Sequence, residues 1–160
     1  MIFWCFSLND KFTDAALERT YDSVHSFGAT YGEHKRFLEF SHDDYLNLQK
    51  FAKDINIAMT ASAMDPVSVD VVNTVLAMPL VKIGSGDANN PIVLEKVAKL
   101  ENTNAVISTG MCELEDVQRI YKLFKYYRKE KNNFVLLHCT SSYPTALESV
   151  NLNVITWYNS

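Results

Sequence analysis

From about Ile55 onward, short apolar runs alternate with longer stretches whose apolar residues recur at helical spacing. Ile57-Ala58-Met59-Thr60-Ala61, Pro79-Leu80-Val81-Lys82-Ile83, Ala105-Val106-Ile107-Ser108 and Phe134-Val135-Leu136-Leu137-His138 predict strands. Each is apolar along most of its length, the pattern of strands covered on both faces. Between them, Pro66 through Leu76 predicts a helix, with Asp65 as N-cap and Pro66 at its first position. Ile92, Val93, Val97 and Leu100 predict a second helix behind a cap at Asn90. Leu114, Val117, Ile120, Tyr121 and Phe124 trace the stripe of a third. Strands and helices alternating at this pace build parallel βα units.

The first fifty residues follow a different pattern. Thr13 to Tyr21 predicts a short helix, and Ser26 to Phe40, with Gly28 and Gly32, reads as a long loop. Ser41 with Asp44 three residues later resembles a capping box. Tyr45, Leu48, Phe51 and Ala52 then give the buried stripe of a helix that feeds the first strand.

The predicted strands end in small polar residues: Thr60-Ala61-Ser62, Gly84-Ser85-Gly86-Asp87, Ser108-Thr109-Gly110 and Thr140-Ser141-Ser142. In a parallel α/β protein these ends share one rim, where ligands bind. Lys82 to Asp87 is the most telling of them. A glycine-rich turn between strand and helix gathers backbone N–H groups, and Lys82 and the Ser85 hydroxyl add to them. That set suits a phosphate or a carboxylate. The plainer readings are turn formation for Ser108 and Ser141, a helix cap for Asp87 and packing for Tyr143. His138 reads as a hydrogen-bonded core histidine and Cys139 as an inert buried thiol.

Composition narrows the field. The 160 residues are 48% hydrophobic and 21% charged with a net charge of −4, which permits one domain with a real core and favours no nucleic-acid partner. The basic run Lys122, Lys125, Arg128, Lys129, Lys131 reads as a solvated helix face that offsets the helix dipole. Cys5, Cys112 and Cys139 form no CxxC, so zinc and a disulfide framework are not expected and a reducing compartment is. No apolar stretch is long enough for a membrane span, and Met1 to Phe6 lacks the features of a signal peptide. The expected location is cytoplasmic, with no membrane partner.

Lys82-Ile83-Gly84-Ser85-Gly86-Asp87 with Asn89-Asn90, Ile107-Ser108-Thr109-Gly110-Met111, and His138-Cys139-Thr140-Ser141-Ser142-Tyr143-Pro144 resemble the sialic acid synthase family, the N-acetylneuraminate or N-acetylneuraminate 9-phosphate synthases. Tyr31-Gly32-Glu33-His34-Lys35-Arg36 with Leu38-Glu39-Phe40-Ser41-His42-Asp43 looks like the animal-type branch. The resemblance runs from about Lys11 to Val154. It implies an α/β fold, a partial (β/α)8 TIM barrel with a parallel sheet, holding roughly the middle strands. It implies a carbon–carbon bond-forming transferase that condenses phosphoenolpyruvate with N-acetylmannosamine or its 6-phosphate. Carried over position by position, the phosphoenolpyruvate cradle uses Thr60, Lys82, Ser85, Ser108 and Ser141. Asp87 and Tyr143 fall at catalytic positions. The family also implies a divalent metal, manganese or magnesium, as a Lewis acid on the aldehyde.

The chain also departs from the family pattern. The family's opening acidic residue, Asn-His pair and lysine–phenylalanine–glutamine strand end have no counterpart, and Met1 to Phe6 stands in their place. The two metal-binding histidines and the C-terminal antifreeze-like domain have no counterpart either. The expected organisation is a partial barrel at 1–155 and a short divergent tail at 156–160. An open barrel fragment is expected to expose sheet edges and apolar interior, hence to pair with a copy of itself or with a full-length chain. Impaired catalysis by this chain alone is expected. A non-catalytic remnant or splice product, and a generic phosphate-binding aldolase-type barrel, stand as alternatives.

Overall fold

The computed structural model describes residues 1–100, 102–129, 131 and 133–158. They form two compact units, Met1–Pro79 and Leu80–Ser160. Every described strand pair is parallel.

The first unit pairs β1 (Ile2–Cys5) with β2 (Thr60–Ala63), in register from Ile2↔Thr60 to Cys5↔Ala63. Met1 to Phe6 thus supplies a strand that the sequence pattern did not predict. Helices α1 (Leu8–Lys11), α2 (Asp14–Glu18), α3 (Tyr31–Leu38) and α4 (His42–Asp54) follow β1. Helix α3 lies inside the stretch expected to be a loop. Its start is fixed by a capping box: Glu33 N donates to Thr30 Oγ1, and the Glu33 carboxylate takes up the Thr30 N–H. Gly32, which suggested a loop, serves close packing instead. A Cβ there would lie 3.0 Å from Leu17 O of α2.

Helix α4 starts at the expected Ser41–Asp44 box. Tyr45 and Ala52 are buried along it, but Phe51 is exposed, so its apolar stripe is narrower than expected. The helix exit uses up residues assigned to the next strand. Asn56 takes φ 55°, and Ile57 N bonds back to Ala52 O. Strand β2 therefore begins at Thr60, not at Ile57. Asp65 caps α5 (Pro66–Asp70) by accepting from Ser68 N at 2.8 Å, and a π-helical turn, Val71–Val75, continues it.

The second unit holds β3 (Leu80–Ile83), β4 (Asn104–Ser108) and β5 (Phe134–Leu137), with α6 (Pro91–Ala98) and α7 (Leu114–Arg128) in the crossovers and α8 (Asn153–Tyr158) after them. Asn90 caps α6 through Ile92 N and Val93 N, with Pro91 following as expected. Register partners share a sheet face, so Ile83, Ala105, Ile107, Phe134 and Leu136 lie together. That face meets α7, where the Phe124 and Phe134 rings are 5.2 Å apart. The opposite face carries Lys82, Val106, Ser108, Val135 and Leu137. Val135 and Leu137 are exposed, so β5 is covered on one face and not on both. Of the tail expected at 156–160, residues up to Tyr158 belong to α8, and 159 and 160 lie outside the described residues.

Arg128 does not join the solvated basic face. It is 1% exposed, and its guanidinium donates to Thr103 O, Val97 O, Asn133 O and Asn133 Oδ1. Among the described residues no helix is long and apolar enough to cross a membrane.

Candidate anion-binding site

The strand ends of the second unit converge on Gly110. Its N–H donates to Ser85 Oγ at 3.1 Å, tying the turn after β4 to the turn after β3. A Cβ at Gly110 would run into Ser141 Oγ and come within 2.8 Å of Ser85 Oγ. Two hydroxyls from separate turns thus meet across a backbone position that only glycine leaves open. Ser85 spends a lone pair on Gly110 N, which leaves its proton free to point outward. Met111, the next residue, is held at φ 63°, a conformation that costs a non-glycine residue about 1–2 kcal/mol. Such strain clusters where a turn must aim its groups.

Lys82 and Ser108 share the sheet face that the helices leave uncovered. Burial holds the Lys82 ammonium below the usual lysine range, with Cys139 acting in the opposite direction. A partly desolvated ammonium gains from an anion, which replaces lost hydration with a charge-assisted bond. Ser108 is buried at the last position of β4. The next residue, Thr109, donates its hydroxyl and its N–H to Leu137 O, at 2.9 and 3.0 Å.

Other expected residues fall differently. Asp87 closes a short 3-10 turn, Ser85–Asp87, and is 2% exposed, while Asn90 takes the capping role. Tyr143 is 99% exposed and precedes a cis bond to Pro144. Thr60 is buried at the entry of β2 and belongs to the first unit. The expectation that Thr60 ends a strand fails because α4 holds its last turn through residue 57. His138 departs from expectation as well. Its Nε2 is buried without a hydrogen-bond partner among the described residues, and its ring meets Tyr158 edge-on.

The resemblance implies a divalent metal. Among the described residues, no three His, Cys, Asp or Glu side chains are placed to hold an ion. The Nδ1 of His34 is already occupied by Phe27 N at 3.3 Å. The described side chains do not fit the metal.

The first unit holds a separate polar cluster that sequence reasoning did not find. Burial pushes the Glu39 carboxyl up to about 7, opposed by hydrogen bonds from Tyr45 and the Phe6 backbone. The Tyr45 hydroxyl lies between the Trp4 carbonyl and Glu39 Oε1, 3.1 Å from the latter. Glu39 Oε2 is buried without a partner among the described residues.

Parallel βα units, with Lys82 and several hydroxyls at their strand ends, belong to an α/β protein of the (β/α)8-barrel type. The NeuB family matches residues 3–160, and the chain belongs to that family. It is similar to the N-acetylneuraminate-9-phosphate synthase of Homo sapiens, with 48% identity over 151 residues, which are 94% of this chain and 41% of the relative. The protein of the same name from Drosophila melanogaster is 49% identical over 146 residues, or 91% and 38% of the two chains. A solved structure gives the same fold. The N-acetylneuraminic acid (sialic acid) synthetase of Leptospira borgpetersenii serovar Hardjo-bovis, in complex with citrate, matches with a TM-score of 0.72 and 26% identity, covering 82% of this chain and 45% of that one. The chain spans about two fifths of the length of its curated relatives. The matched stretch takes in residues 156–160.

Proposed function

We propose that the turns around Gly110 form the phosphoenolpyruvate cradle of a sialic acid synthase site. The observation that carries this reading is the convergence of Ser85 Oγ, Gly110 N and Ser141 Oγ in the unit whose sheet carries Lys82 and Ser108 on one face. The names of the animal relatives support it, and they favour N-acetylmannosamine 6-phosphate as the acceptor. In the reaction assigned, C3 of phosphoenolpyruvate bonds to the sugar aldehyde carbon. The aldehyde oxygen takes up a proton, water adds at C2 and gives up its protons, the bond between C2 and the phosphate oxygen breaks, and phosphate leaves with C2 as a ketone.

The part of these residues is binding and orientation. Lys82 pairs with the phosphate or carboxylate as a point charge. Ser85 and Ser141 donate their hydroxyl protons to anionic oxygens, and Ser108 lines the strand end beside them. Asp87 and Tyr143 are assigned to the acceptor side. Thr60 is left out of the cradle, since it opens its strand. The 160 residues alone are expected to bind phosphoenolpyruvate without turning it over.

Thermal unfolding with and without phosphoenolpyruvate tests the reading, alongside phosphate release with N-acetylmannosamine 6-phosphate and manganese. A ligand-dependent rise in the unfolding midpoint that is lost in Lys82→Ala is expected. No rise at millimolar phosphoenolpyruvate contradicts the cradle, and metal-dependent phosphate release contradicts binding without turnover.

A further inference from the structure

We propose that Tyr158 is a positioning residue for this cradle, acting through Thr109; the proposal rests on the phosphoenolpyruvate reading of the site. Helix α8 buries none of its residues, and Trp157 stands exposed. Yet the Tyr158 hydroxyl reaches Thr109 Oγ1 at 2.8 Å. Thr109 has one hydroxyl proton, and it goes to Leu137 O at 2.9 Å. Tyr158 is therefore the donor to Thr109. The chain of bonds runs from the Tyr158 O–H to Thr109 Oγ1 and on to the Leu137 carbonyl at the end of β5.

Thr109 is 4% exposed, so removing the donor leaves a buried oxygen short of a partner with little water to replace it. The next N–H along the chain is that of Gly110, which fixes Ser85 Oγ. Movement of Thr109 thus passes by one peptide unit to the place where Ser85 and Ser141 meet. The His138 ring, edge-on to Tyr158 at 6.5 Å between centroids, backs the same contact. A helix that contributes little to the core holds the cradle turn through one hydroxyl.

Tyr158→Phe keeps the ring and removes the donor. It is expected to weaken phosphoenolpyruvate binding by about 3–10-fold in calorimetry. It is also expected to speed hydrogen exchange of the Gly110 amide, with the α6 amides unchanged as internal control. Thr109→Val should show the same loss, the double variant no further loss, and Thr109→Ser near-normal binding. Unchanged Gly110 exchange in Tyr158→Phe overturns the proposal and leaves the cradle standing. So do losses from Tyr158→Phe and Thr109→Val that simply add. Failure of the unaltered chain to bind phosphoenolpyruvate, with Gly110 exchange still faster in Tyr158→Phe, overturns the cradle reading instead.

Discussion

In the proposed cradle, Lys82 supplies the positive charge. Burial lowers its proton affinity, and a bound anion restores it. Anion affinity is therefore expected to be full where Lys82 is protonated and to fall as pH rises through its lowered value. A titration of affinity against pH from 7 to 10 checks this, and Lys82→Met should remove the dependence along with most of the binding. Gly110→Ala forces Ser85 and Ser141 apart, since its Cβ would meet both hydroxyls. Urea unfolding should show a loss of about 1–3 kcal/mol, typical of overpacking, with anion binding lost beyond the stability effect. The places of Lys82, in β3, and Ser85, in the turn after it, were legible in sequence from the apolar run and the glycines around them. The role of Gly110 was not, because it depends on two hydroxyls that are 25 and 31 positions away in sequence.

At the scale of elements, local chemistry was readable where a cap lies next to its helix. Asp65 with Pro66, Asn90 with Pro91, and Ser41 with Asp44 start helices as expected. Helix α3 escaped because its glycines resemble loop residues until α2 is seen packed against Gly32. Thr30→Ala should cost about 1 kcal/mol, measured by chemical unfolding, since it removes one half of the capping box. Arg128 carries the larger effect. It holds the C-terminal carbonyl of Val97 and the backbone before β4 and β5 through four donated bonds. Arg128→Ala leaves those acceptors buried and is expected to cost about 2–4 kcal/mol. Its spacing with Lys125 and Lys129 suggested a solvated cation. Only the loops it reaches, at Thr103 and Asn133, distinguish it from its neighbours.

At the scale of the molecule, the second unit leaves one sheet face away from its helices, where Val135 and Leu137 are exposed. Continuous apolar runs suggested burial on both sides, and the runs alone do not reveal which face is covered. Stability should also respond to pH through Glu39. Its folded carboxyl titrates near 7 against 4.5 for the free group, so the folded chain holds a proton that the unfolded chain has released. Stability is then greatest below about 4.5 with respect to this group and falls as pH rises to about 7. Allowing for solvent screening of a half-buried group, the fall is on the order of 1–2 kcal/mol. Glu39→Gln should flatten that part of the curve in unfolding experiments at pH 5 and pH 8. If the strand ends of the second unit bind phosphoenolpyruvate, calorimetric titration of the unaltered chain beside Lys82→Ala and Ser85→Ala gives saturable binding that weakens about 10–100-fold without the Lys82 charge and less without the Ser85 hydroxyl. Equal binding by all three chains would contradict it.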